Sequence, residues 1–163
     1  GFINNFRNES LAKVSDAKIK AEMDALSKAP VRLVPEGYGD ARKIEVGVLA
    51  GMKFDRKELE AKAGERLAIS FTNNDPDGLM HNLAVIKPGT RQDVLEATIA
   101  LGAKAIEKNF VPDSPALLGS TPQVAPGRRF TLYLTLPAES GDYEFVCTYP
   151  GHGQLMWGTL KVK

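Results

Sequence analysis

Residues 147–156 read Cys147-Thr148-Tyr149-Pro150-Gly151-His152-Gly153-Gln154-Leu155-Met156, and they hold the only cysteine of the chain, one of its two histidines and one of its four methionines. Thiolate and imidazole are strong ligands for soft and borderline metals, and a thioether is a weaker third kind. Tyr143–Cys147 reads as a strand, so Cys147 projects at the end of a sheet. Pro150, Gly151 and Gly153 allow the sharp reversal that returns His152 beside it, and Met156 opens a last strand over Leu155–Val162. The remaining histidine, His81, lies 66 residues before Cys147, so only a closed tertiary fold can bring the four together.

Outward from this stretch, the chain from Lys43 onward is a series of short strands. Lys43–Leu49 alternates Ile44, Val46 and Val48 against polar or small neighbours, the period of a half-buried strand. Glu58–Ala63, Arg66–Thr72, His81–Ile86 and Arg129–Leu136 continue the set, each bounded by Pro, Gly or Asn. Asn73–Gly78, Asn-Asn-Asp-Pro-Asp-Gly, is a loop. A helical insertion is expected over about residues 91–108, with Val94, Leu95, Ile99, Ala103 and Ile106 along one side. Strands at this spacing predict an all-β sandwich or barrel. Before it, residues 9–28 have helical periodicity, with Ser10 as N-cap and Pro30 past the end, and residues 31–40 read as linker. The expected division is an N-terminal helical arm and linker over 1–40 and a β domain over 41–163.

Composition narrows the function. Of the 163 residues, 21 are basic and 20 acidic, and a net charge of +1 argues against a protein built to hold nucleic acid, which would want a basic face. No apolar run reaches the ~18–20 residues of a membrane-spanning helix. One cysteine excludes an internal disulfide, a thiolate-rich zinc ribbon and a c-type haem site. Two histidines exclude a multi-histidine cluster or a second, catalytic copper centre. The chain opens on Gly1 with no signal-like stretch, which reads as a processed chain or part of a longer one.

Two imidazoles and a thiolate in a trigonal plane, with a long axial methionine, form the blue-copper electron-transfer pattern. His81-Asn82 followed by Cys147-x4-His152 and Met156 resembles the cupredoxins, and within them the azurins and auracyanins. Met52-Lys53-Phe54 and Lys62-Ala63-Gly64-Glu65 resemble the entry strand and turn of that family, and the likeness covers about residues 42–163. The resemblance implies a Greek-key β-sandwich holding one type 1 copper ion. It implies His81, Cys147 and His152 as equatorial ligands and Met156 as the axial one. Asn82 would tie the two ligand loops together, and its backbone N–H would donate to the Cys147 sulfur, raising the reduction potential. Met80 and Thr148 would be the neighbours of the ligands. Met52, Leu79, Pro150 and Gly151 would form an apolar docking rim around His152, where electrons enter and leave. Two features depart from azurin: Met80 stands where azurins have a glycine before the first histidine, and the azurin disulfide has no counterpart.

The implied function is one-electron transfer without substrate turnover. The implied partner is a redox protein such as a cytochrome or a fused domain, and the implied location is periplasmic or extracellular. The alternative is a copper module for storage or delivery. A Cys147–His152 nucleophile pair leaves His81 and Met156 without a role, and structural zinc sites seldom use a thioether. Tyr149 is read as supporting the ligands or packing rather than as a redox relay, and Trp157 as packing rather than as an interface residue.

Overall fold

The computed structural model describes residues 34–163. The helix expected over 9–28 lies outside the described residues. Within them, period-two alternation of apolar side chains produces ten strands: β1 (Arg42–Val46), β2 (Val48–Leu49), β3 (Lys53–Phe54), β4 (Glu58–Ala61), β5 (Arg66–Thr72), β6 (Ala84–Ile86), β7 (Leu117–Ser120), β8 (Arg129–Thr135), β9 (Gly141–Val146) and β10 (Trp157–Val162). One helix, α1 (Arg91–Ala100), stands between β6 and β7.

The strands form a three-stranded sheet in the order β1-β5-β8 and a five-stranded sheet in the order β4-β10-β9-β6-β7, with β2-β3 as a separate ribbon. β1 runs parallel to β5 and β4 parallel to β10, while the other pairs are antiparallel. Leu67, Ile69 and Phe71 of β5 share one buried cluster with Tyr143 and Phe145 of β9 and Leu160 of β10. The core is therefore the space between the two sheets, as in the expected sandwich. Each large apolar side chain hidden there contributes about 1.5–3 kcal/mol.

All three residues of β6 are buried because both faces of the five-stranded sheet are covered there. Val85 faces the sandwich, whereas Ala84 and Ile86 join Val94 and Leu95 of α1 in a second cluster on the outside. The helix is shorter than expected. It ends at Ala100, and a single 3₁₀ turn over Gly102–Lys104 follows. Gly102, Asn109 and Phe110 take left-handed backbone conformations that an α-helix cannot continue through. Ile99 and Ile106, expected on the apolar side, are exposed.

Two more boundaries move, both beside the histidines and methionine of interest. The strand expected from His81 begins only at Ala84, because Leu83 N–H donates to the Thr121 hydroxyl and His81 makes an isolated bridge to Val124. Met156 immediately precedes β10 rather than lying in it. Both residues thus sit at strand ends, on loops held by the sheet.

Candidate metal centre

The loop from Cys147 to Met156 is a closed turn anchored at both ends. Cys147 N–H donates to the Met156 carbonyl at 3.0 Å, while His152 N–H donates to the Tyr149 carbonyl at 3.0 Å and Met156 N–H to the His152 carbonyl at 2.9 Å. Gly151 has φ +84°, which makes the reversal after Pro150 available at low cost. Gly153 is required by contact instead. A Cβ there would lie 2.3 Å from Leu95 Cδ2 and 2.8 Å from the Cys147 carbonyl. Helix α1 therefore presses directly on the loop through Leu95.

The second loop holds His81. Its backbone pairs with Val124, with Val124 N–H donating to the His81 carbonyl at 2.7 Å. Asn73, fully buried, donates from Nδ2 to the carbonyls of Leu79 at 2.8 Å and Val124 at 2.7 Å. The two loops meet through Asn82 and Thr148, which bond each other twice. Asn82 Nδ2 also reaches the Ser120 hydroxyl at 3.2 Å.

This framework brings three of the four expected ligands together. His81 Nδ1 and His152 Nδ1 are 3.2 Å apart, and Cys147 Sγ lies 3.9 Å from the first and 3.8 Å from the second. A triangle with those sides has its centre about 2.1 Å from each corner, close to the ~2.0–2.3 Å lengths of first-row metal–nitrogen and metal–sulfur bonds. His81 and Cys147 are fully buried and His152 is 8% exposed. Met156 is fully buried in the same cluster as Cys147. The donors are soft and few, which fits copper better than a hard oxygen-seeking cation.

Burial and neighbouring groups set the protonation of the donors. Burial pushes the Cys147 thiol up to about 11, and the backbone N–H groups of Asn82 and Tyr149 only partly offset it. Burial, and then the neighbouring His81, lower the His152 pKa, with Asp75 acting in the opposite direction. Asp75 itself lies against the far side of His81, its Oδ2 2.6 Å from Nε2. Burial would raise the Asp75 carboxyl, but the Asp77 N–H, the His81 ring and the Leu79 N–H together hold it below its ordinary value.

The remaining expected residues are spread around this cluster. Thr148 and Asn82 are fully buried beside the ligands. Met80, which directly precedes His81, is 39% exposed, as is Leu79. Pro150 and Gly151 are exposed, while Met52 is half-buried against the core with a left-handed backbone. Sequence reasoning misses Asp75 and the Phe110 ring, which lies 4.8 Å from Tyr149, itself 4.6 Å from the His152 ring. The signal for Asp75 is present, a carboxylate six residues before a histidine, but within a loop it reads as turn chemistry.

Comparison with known proteins points the same way. The model of a family described as copper binding proteins, plastocyanin/azurin family, matches residues 42–163. The chain is 32% identical over 114 residues to Auracyanin-A of Chloroflexus aurantiacus, covering 68% of this chain and 67% of that one. It is 33% identical over 116 residues to the outer membrane protein H.8 of Neisseria gonorrhoeae, covering 67% of this chain but spanning only 61% of that relative's length. The crystal structure of dithionite-reduced auracyanin from Roseiflexus castenholzii superposes with a TM-score of 0.66 at 29% identity, over 76% of this chain and 98% of that one. With a donor triangle of this size at the ends of its strands, the chain belongs to the plastocyanin/azurin family of copper binding proteins.

Proposed function

We propose that this chain carries single electrons through one type 1 copper centre, held by His81, Cys147 and His152 with Met156 as the weak axial donor, and turns over no substrate of its own. The observation that carries this reading is the convergence of three donor atoms within 3.9 Å of one another inside the core, on loops already cross-tied by protein hydrogen bonds. A bound copper ion supplies a reversible Cu(II)/Cu(I) couple. The protein keeps water away and holds its donors in one arrangement, so that little rearranges when the charge changes. Asn82 and Thr148 hold the two ligand loops in register, and the Asn82 N–H works toward stabilising the Cys147 thiolate.

His152 is the proposed electron port, because it is the ligand with residual exposure. Leu79, Pro150 and Gly151, exposed beside His81 and His152, with half-buried Met52, form the proposed rim for a redox protein such as a cytochrome or a fused domain. The copper-binding unit is residues 41–163. Export to the periplasm or cell surface belongs to the same proposal, supported by a relative named as an outer membrane protein. Among the described residues, no helix is long and apolar enough to cross a membrane.

Burial separates this reading from copper delivery, since a site that hands on its ion needs its donors within reach of the recipient. The test mixes reduced, copper-loaded protein with oxidised cytochrome c and an excess of a Cu(I) chelator. Electron transfer that finishes before copper is lost supports the proposal. Loss of copper to the chelator ahead of any cytochrome reduction supports delivery instead.

A further inference from the structure

The side chains of Asp75 and His81 are both completely hidden from solvent, with Asp75 Oδ2 2.6 Å from His81 Nε2. Asp75 is fixed there by the loop it belongs to. Asn73 Oδ1 accepts from the Asp75 N–H at 3.1 Å, and Asp75 Oδ1 accepts from the Asp77 N–H at 2.8 Å. One oxygen of this carboxylate therefore faces a backbone N–H and the other the His81 ring nitrogen. An ionised carboxylate only accepts, so the ring nitrogen facing it must carry the proton. In the neutral ring, the form that can bind a metal, that leaves His81 Nδ1, the atom facing Cys147 and His152, with its lone pair free.

Orienting a ring needs only a neutral acceptor, and burying an anion is costly unless a positive partner compensates it. A cation held by His81, Cys147 and His152 on the other side of the imidazole would supply that compensation. The Cys147 thiolate and the Asp75 carboxylate together would balance a divalent ion and would outweigh a monovalent one.

We propose that Asp75 is a positioning residue that sets the reduction potential of the centre: its carboxylate locks His81 in the Nε2–H tautomer and favours the oxidised over the reduced ion. This rests on the copper reading above. It acts against the N–H groups near Cys147, which favour the reduced state, so the working potential is a balance set from opposite sides of the donor triangle.

Asp75→Asn and Asp75→Glu provide the test. An amide has one oxygen, so in Asp75→Asn one of the two donors, Asp77 N–H or His81 Nε2–H, must face an NH₂ group. Nitrogen-15 spectra of the metal-free proteins read the His81 tautomer, and potentiometric titration of the copper-loaded proteins reads the midpoint. The expected result is Nε2–H at His81 in the wild type and in Asp75→Glu, and a shift toward Nδ1–H in Asp75→Asn. The midpoint of Asp75→Asn should rise by the equivalent of about a tenfold change in the Cu(I)/Cu(II) affinity ratio, about 59 mV for one electron, with Asp75→Glu close to wild type. Asp75→Asn with wild-type tautomer and potential overturns the proposal. Where Asp75→Asn does not fold, the wild-type spectrum decides, Nε2–H supporting and Nδ1–H overturning. A wild type with the expected tautomer that never develops a thiolate–copper band contradicts the copper reading and leaves the hold of Asp75 on His81 standing.

Discussion

Asn82 and Thr148, each one residue past a proposed ligand, bond each other twice, Asn82 Nδ2 donating to Thr148 Oγ1 at 2.8 Å and Thr148 N–H donating to Asn82 Oδ1 at 2.8 Å. Both residues are fully buried. One side-chain amide thus joins the loop of His81 to the loop of Cys147 and His152, and it does so with protein atoms alone. Such a join supplies the rigidity that an electron-transfer site needs before any ion binds.

Asn82→Ala removes both bonds and leaves the Thr148 N–H buried without its partner. Unsatisfied buried groups cost about 1–3 kcal/mol. The expected outcome is an unfolding free energy lowered by that amount, read from denaturant melts, with broadened copper spectra from loosened loops. A variant as stable as the wild type, with unchanged spectra, contradicts the role.

Cys147→Ser keeps the volume but exchanges the thiolate for a hydroxyl. The variant should fold, as judged by far-UV circular dichroism, and bind Cu(II) without an intense visible band. Retention of that band removes Cys147 from the ligand set.

The Cys147 thiol also predicts a pH dependence. Burial raises it from an ordinary 9.0 to about 11, so the folded metal-free chain holds this proton more tightly than the unfolded one. The associated stability is fully present below pH 9 and is lost as pH rises through 11, amounting to roughly 2–3 kcal/mol. Urea melts at pH 8 and 11 should show a larger loss for the metal-free wild type than for Cys147→Ser. Copper binding displaces the same proton, so copper affinity measured against a competing chelator should rise about tenfold per pH unit between pH 7 and 9. Equal losses in the two proteins, or a flat affinity, contradict the burial of this thiol.

Gly153→Ala pushes a methyl into Leu95 and the Cys147 carbonyl. Overpacking of this kind costs about 1–3 kcal/mol, and the strain falls on the ligand loop. Adding Leu95→Ala should recover part of the loss, giving a coupling energy between the two sites in a double-mutant cycle. Strict additivity would mean that α1 does not bear on the loop.

The ligand stretch is legible because its chemistry is local: a strand, a Pro-Gly reversal and soft side chains within ten residues. The sandwich is legible where one face of a strand is more deeply buried than the other, as along β5, whose bounds agree with the alternation: Leu67, Ile69 and Phe71 are fully buried, while Arg66 is exposed and Ser70 and Thr72 are half-buried. It fails where that contrast is missing. β7, Leu117–Ser120, is partly buried at every position and has no period to detect, and β3 is two residues long. The helix is overextended because Ile99 and Ile106 satisfy the helical spacing while lying in solvent. Asp75 is hidden for a different reason. Its turn-forming role and its contact with His81 use opposite oxygens of the same carboxylate, and only the first follows from neighbouring residues.

The most direct test of the whole account is to add one equivalent of Cu(II) to the metal-free protein and record its visible and electron paramagnetic resonance spectra. An intense blue or green band with a narrow parallel copper hyperfine splitting is the predicted result, since it requires a short copper–thiolate bond in the geometry that His81, Cys147 and His152 define. A pale band with the wide splitting of ordinary tetragonal Cu(II) would contradict it, because these three donors would then not be holding the ion together.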